Sequence, residues 1–132
     1  MVMNFARENA AAQGPGGIAG DRSSSSVMQE IVTSDGIAHP VRVWGTQSGA
    51  PIALYLHGIE GHSQWFADTA LALNKQGIAV YAPDRRGAGL SRQPSGHIGS
   101  YKRLVDDVGE IVQEIVRRHP GSAIFLIGNC WG

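Results

Sequence analysis

The five residues Gly128-Asn129-Cys130-Trp131-Gly132 have the types and spacing to carry covalent chemistry. They read G-x-C-x-G, the cysteine counterpart of the G-x-S-x-G nucleophile elbow. In such a turn the nucleophile sits on a strained strand-to-helix corner, and its side chain projects into a crevice. Glycines two before and two after leave room for the corner, which assigns that role to Gly128 and Gly132. The backbone N–H of the next residue, Trp131, then faces the position of a developing oxyanion. A thiolate attacks a carbonyl readily at neutral pH, which suits acyl transfer. The competing reading is a small buried core cysteine in a strand-end loop, because free cysteine is among the most buried residue types.

Two further clusters join it. His57-Gly58-Ile59-Glu60-Gly61-His62-Ser63 follows an apolar run and opens a helical pattern. A backbone N–H from a loop of this kind is the second oxyanion donor of an elbow-type site, and Ile59, directly after His57-Gly58, is the residue expected to supply it. Glu60, His62 and Ser63 are expected at the pocket wall. His57 and His62 as a metal pair lack the further ligands of a zinc site, so His57 is read as organising its loop, and no metal or cofactor is expected. The third cluster is Asp84-Arg85-Arg86-Gly87-Ala88-Gly89-Leu90-Ser91. Its G-x-G invites a nucleotide reading, but Arg92 stands where a dinucleotide fingerprint needs its third glycine, and the Walker lysine is absent. Arg85 and Arg86 are read as structural, paired with Asp84 or another carboxylate.

These clusters need elements to hold them. Ile52-Ala53-Leu54-Tyr55-Leu56, Ile78-Ala79-Val80-Tyr81-Ala82 and Ala123-Ile124-Phe125-Leu126-Ile127 are apolar throughout, as strands buried on both faces of a parallel sheet are. A helix is expected over residues 63–76, with Ser63 as N-cap and Gly77 past its end. A second is expected over residues 101–119, where Leu104, Val105, Val108, Ile111, Val112, Ile115 and Val116 share one face and Pro120-Gly121 stops it. Upstream, residues 29–33 and 41–44 read as strands joined by a Ser34-Asp35-Gly36 turn, with Pro40 obscuring the start of the second. Strands alternating with helices give an α/β layered domain with helices on the sheet faces. Ligands in such sheets lie at the C-terminal strand ends, where all three clusters fall.

Composition narrows the classes. At 132 residues, 42% of them hydrophobic, the chain allows one domain with a core. Lys plus Arg and Asp plus Glu both number 11, which argues against a nucleic-acid partner. No run approaches the roughly 18 apolar residues of a membrane span, so no integral membrane segment is expected. The single cysteine excludes an internal disulfide and fits a reducing, cytoplasmic setting. Residues 1–26 are rich in Ala, Gly and Ser and are expected to form a disordered tail. They lack the cationic start and apolar stretch of a secretory signal.

Taken together, the clusters resemble the α/β-hydrolase fold superfamily, most closely the monoacylglycerol lipase and lysophospholipase-like branch. The matching residues are Leu56-His57-Gly58 with His62-Ser63; Asp84-x-Arg86-Gly87-x-Gly89-x-Ser91; and Gly128-x-Cys130-x-Gly132. The resemblance covers residues 27–132 and implies the N-terminal part of an α/β-hydrolase domain: a β-hairpin, then parallel strands with helices on both faces. It departs from the family at Cys130, where serine is usual. Cysteine there is similar to dienelactone hydrolases and polyhydroxyalkanoate synthases. This widens the implied chemistry from carboxylic esters to thioesters and acyl transfer, on a small-molecule substrate.

In the family order the acid and histidine follow the nucleophile, so both are expected beyond residue 132. Asp106, Asp107, His97 and His119 do not stand at those positions. The 132 residues by themselves are therefore expected to be poorly stable and to lack efficient turnover. The alternative function is a non-catalytic fragment or pseudoenzyme that binds a protein partner through an open sheet edge.

Overall fold

The computed structural model describes residues 25–45 and 47–132. The expected tail lies almost wholly outside them. Within them, Ser26 Oγ accepts a hydrogen bond of 3.0 Å from Arg42 Nη1. The elements are β1 (Val27–Val32), β2 (Ala38–Trp44), β3 (Ile52–Leu56), a 3-10 turn (Ser63–Phe66) running into α1 (Ala67–Lys75), β4 (Ala79–Pro83), α2 (Tyr101–Arg118) and β5 (Ile124–Gly128).

The five strands form one sheet in the order β1-β2-β4-β3-β5. β1 and β2 are the expected hairpin. Its turn closes through Thr33 and Ile37, with Gly36 at φ +80. Pro40 lies inside β2, opposite Glu30, and its carbonyl accepts from Asp84 N. A strand proline loses a donor but keeps its acceptor, which is how it is accommodated here. β2 runs antiparallel to β4, whereas β3, β4 and β5 are parallel.

The period-2 alternation of strand side chains sorts the apolar strands onto two faces. Ile52, Leu54 and Leu56 of β3 with Ala79 and Tyr81 of β4 meet Ile111 and Ile115 of α2. Ala53 and Tyr55 with Val80 and Ala82 meet Phe66 and Ala70 on the α1 side, where Tyr55 and Phe66 stack with ring centroids 3.8 Å apart. Each helix thus covers one face of β3 and β4. Phe125 and Leu126 of β5, in contrast, are exposed, so the third apolar run is a strand but is not buried on both faces as expected. Ser100 caps α2 by accepting from Arg103 N at 3.0 Å. At the end of α1, Gly77 at φ +79 lets its own N–H reach the Asn74 carbonyl and the Ile78 N–H reach that of Leu73. This double bond pattern is a Schellman stop, and it needs the left-handed residue.

Ser63 departs from expectation. The N-cap position belongs to His62, and neither residue's side chain caps the turn. The Ser63 N–H instead donates 2.6 Å to Asp84 Oδ1, so a carboxylate from the loop after β4 does the work of the cap.

Candidate active site

Cys130 is exposed at the C-terminal end of β5, not buried in a core, and its φ is +58. An L-residue other than glycine rarely takes that conformation, and the strain persists only where surroundings enforce it. Here the enforcement is steric. A Cβ on Gly132 would overlap the Leu56 carbonyl, and one on Gly128 would lie 2.5 Å from the Gly132 oxygen. The turn is closed by Gly132 N–H to Asn129 O (2.9 Å) and tied to β3 by Asn129 N–H to Leu56 O (3.1 Å).

Among the described residues, the other non-glycine residue with positive φ is Glu60, at +60. It lies in the loop after β3, which packs directly on the elbow. A Cβ on Gly58 would sit 2.8 Å from Cys130 Cβ. Glu60 borders a crevice there, and Cys130 adjoins it through Gly58 and Trp131 without lining it. Ile59, Glu60, Arg85, Ile98, Leu104 and Trp131 line a cavity of about 210 Å³ there, together with His57 and Gly58. His62 and Ser63 do not reach it; they line a second cleft with Asp84 and Leu90.

His57 is buried, and both ring nitrogens are engaged. Nε2 lies 3.0 Å from the Arg85 backbone N–H and accepts from it. Nδ1 lies 2.8 Å from the Gly58 carbonyl and must therefore carry the proton. Burial pushes the imidazole below its ordinary value of 6.5, consistent with this neutral tautomer. Neither nitrogen is left for a metal. The peptide whose carbonyl His57 holds is the one that carries the Ile59 N–H.

Asp84 lies 1% exposed. It accepts from Ser63 N and, at 2.8 Å, from Leu90 N. It therefore knits the loop after β3 to the loop after β4 and pairs with neither arginine; of the partners expected for them, Asp84 or another carboxylate, the second holds for Arg86 and neither holds for Arg85. Gly89, at φ +55, lies against that carboxylate, so a side chain there would collide with it. Gly87 is also at positive φ, and its N–H donates 3.3 Å to Ser91 Oγ.

Arg86 finds its carboxylates elsewhere. Its Nε and Nη2 make a two-point fork to Asp107, each bond 2.9 Å, and Nη2 also reaches Asp35 at 2.8 Å. Asp107, 3% exposed, also receives Arg103 Nε at 2.9 Å. The Thr33 hydroxyl and the Arg86 guanidinium hold Asp35 down to about 2. Glu110 takes Arg103 and both the N–H and hydroxyl of Ser34. This network joins the hairpin turn, the loop after β4 and the first turns of α2. Arg85, directly before it in the chain, has no carboxylate within ion-pair reach among the described residues. Sequence reasoning missed Arg85, Ile98 and Leu104 at the cavity. A basic residue at a central strand's C-terminal end was the available signal for Arg85; Ile98 and Leu104 gave none.

A sheet entered through an antiparallel hairpin, with a tight turn after β5 closing against the loop of the neighbouring parallel strand, has the architecture of an α/β-hydrolase. The family model for serine aminopeptidase, S33, matches residues 48–132, and the chain belongs to this family, in its monoglyceride-lipase-like branch. Human monoglyceride lipase is 29% identical over 107 residues, which cover 80% of this chain and 35% of the human protein. The chain thus spans about a third of that relative's length. The thioesterase domain from the curacin biosynthetic pathway superposes with a TM-score of 0.66 at 25% identity, over 80% of this chain and 37% of that domain. A monoglyceride lipase of Saccharomyces cerevisiae shares the fold with a TM-score of 0.69 at 20% identity, over 82% of this chain and 36% of the yeast protein. What is present matches an N-terminal portion of the fold. Among the described residues no helix is long and apolar enough to cross a membrane.

Proposed function

We propose that this protein belongs to an acyl-group hydrolase or transferase with Cys130 as nucleophile, acting on a carboxylic ester or thioester. The carrying observation is Cys130 itself: exposed, at φ +58, in a turn that admits only glycine at Gly132. In this reading Cys130 Sγ attacks the substrate carbonyl carbon, and the carbonyl π electrons move to oxygen. The Ile59 and Trp131 N–H groups stabilise that oxyanion. Collapse re-forms the carbonyl and breaks the bond to the alcohol or thiol, which leaves with a proton. Cys130 then holds the acyl group as a thioester until water or a second acceptor takes it. A pair of preorganised donors is a large part of such catalysis, with one donor worth about 3 kcal/mol in other enzymes.

Among the described residues no side chain hydrogen-bonds to Cys130 Sγ; of the histidines, His57 is committed to backbone, His119 to Tyr81 at 2.7 Å, and His39 lies beside Thr33 and Asp107. The base and acid of the triad are assigned to sequence that follows the nucleophile, in the family order. The Ile98, Leu104 and Trp131 lining favours an uncharged, apolar acyl group. Because the nucleophile is a thiol, the reading includes a reducing cytoplasmic setting.

The test is intact-mass analysis after mixing with p-nitrophenyl acetate and with an acyl thioester. The expected result is one acyl adduct, mapped to Cys130 and absent from Cys130→Ala. Turnover that persists in Cys130→Ala would overturn the assignment. A second reading has its own support: β5 ends the sheet, and Phe125 and Leu126 on it are exposed. A partner strand could add there. An unreactive Cys130, together with a pulled-down complex lost on a charge substitution at Leu126, would favour it.

A further inference from the structure

Arg85 connects the two sides of the crevice. Its Nη1 donates to the His57 carbonyl and to the Trp131 carbonyl, both at 2.8 Å. Its backbone N–H holds His57 Nε2. One residue of the loop after β4 is therefore bonded twice to the residue that precedes Gly58-Ile59 and once to the residue that follows Cys130.

The surroundings do not account for this side chain as an ordinary structural arginine. Arg86 beside it has two carboxylates; Arg85 has none within reach among the described residues. Its Nε is buried without a hydrogen-bond partner, and burial works against its charge. A guanidinium held at such cost makes sense where one of its nitrogens fixes two backbone segments relative to each other, as Nη1 does here. The bonds then form one chain of contacts. Arg85 N–H fixes the His57 tautomer. His57 Nδ1–H holds the Gly58 carbonyl, and so the orientation of the peptide that ends in the Ile59 N–H. Arg85 Nη1 holds the Trp131 carbonyl next to the other donor. A hydrogen bond accepted by a peptide carbonyl also strengthens the same peptide's N–H as a donor.

We infer that Arg85 is a positioning residue that clamps the Ile59 and Trp131 segments at the separation needed to hold one oxyanion. The inference rests on the acyl-transfer reading for what the two N–H groups do, but not for the clamp itself.

The experiment compares wild-type protein, in its full native length, with Arg85→Met and Arg85→Lys. Two reagents are used on Cys130. p-Nitrophenyl acetate reacts through an oxyanion; iodoacetamide reacts at a saturated carbon and builds none. In Arg85→Met the acylation rate is expected to fall roughly 10- to 100-fold, the cost of a misplaced reacting geometry, with alkylation unchanged. Arg85→Lys should recover part of the loss. Amide hydrogen exchange should rise at residues 57–61 and 129–132 and not elsewhere. Unchanged acylation, or acylation and alkylation falling together, would overturn the inference. If wild-type Cys130 is alkylated but never acylated, the acyl-transfer reading fails. Exchange at residues 129–132 then decides the clamp by itself: raised in Arg85→Met it stands, unchanged it falls.

Discussion

Arg85 and Arg86 are neighbours in sequence and belong to opposite kinds of site. Arg86 sits in a saturated network, with Asp107 and Asp35 accepting its donors and Arg103 and Glu110 completing the ring around it. Arg85 faces the crevice with carbonyl oxygens as its partners and a buried Nε without one. The backbone follows the same division. The positive-φ positions on the crevice side include Glu60 and Cys130, which are not glycine, whereas α2 beside the network is a regular, capped helix. The difference teaches where this molecule keeps its reactive potential. Positive φ at non-glycine residues gathers at one end of the sheet, beside a guanidinium without a carboxylate partner, and an ionic cluster on the other side of the same loop holds that end in place.

The sharpest way to break the comparison is at the strained side. Gly132→Ala places a Cβ onto the Leu56 carbonyl, so the turn has to move. Acylation of Cys130 should fall by about 100-fold, with a loss of about 1–3 kcal/mol in urea unfolding from overpacking. Retained acylation would mean that the turn does not need its tight seat on β3.

On the saturated side, Asp107→Ala leaves Arg86 and Arg103 without their shared acceptor. Breaking one partner out of a buried ionic cluster typically costs about 3–5 kcal/mol. Urea unfolding should show a loss of about 3 kcal/mol, with the ratio of acylation to alkylation at Cys130 kept in the folded molecules. A fall in that ratio would show that the network tunes the site as well as supporting it.

The pH dependence sharpens the comparison further. Burial holds His39 and His57 below 6.5. Below that pH the unfolded chain binds protons that the folded chain refuses, so their contribution is present above 6.5 and fades as pH falls beneath it. Asp35, held at about 2 against an ordinary 3.8, acts later: its contribution is complete above 3.8 and is lost as pH falls toward 2. Urea unfolding a unit either side of 6.5 should show the first decline, reduced in His39→Gln. Asp35→Asn should reduce only the second. The smallest effect is expected at Lys102→Met. Its i,i+4 pair with Asp106 is at the surface, with Lys102 83% exposed, and such pairs contribute little. Thermal unfolding should be unchanged.

Much of the fold was legible because the local signals agree with each other. β3 falls on the run read as a strand, and α2 ends one residue before its expected limit, at Pro120-Gly121. α1 was legible at its C-terminus, where Gly77 is a local stop. It was not legible at its start, where the partner of the Ser63 N–H lies 21 residues away on Asp84. A sequence window cannot see that bond. The same reason hid the arginine partners: Asp107 and Asp35 are remote in sequence from Arg86 and adjacent only after α2 and the hairpin pack on the sheet.

By itself, then, the sequence determined the alternation of strands and helices, the glycine positions that permit a strained turn at Cys130, and the family. These follow from periodicity and from single-residue conformational preference, both local properties. Only the tertiary structure decided that β4 inserts between β2 and β3, that Gly58 presses on Cys130, and that Glu60 shares a crevice with Trp131 while His62 does not. It alone showed Arg85 reaching from one crevice wall to the other. Those outcomes depend on strand order and on which loops meet at a sheet edge, and non-local pairing sets both.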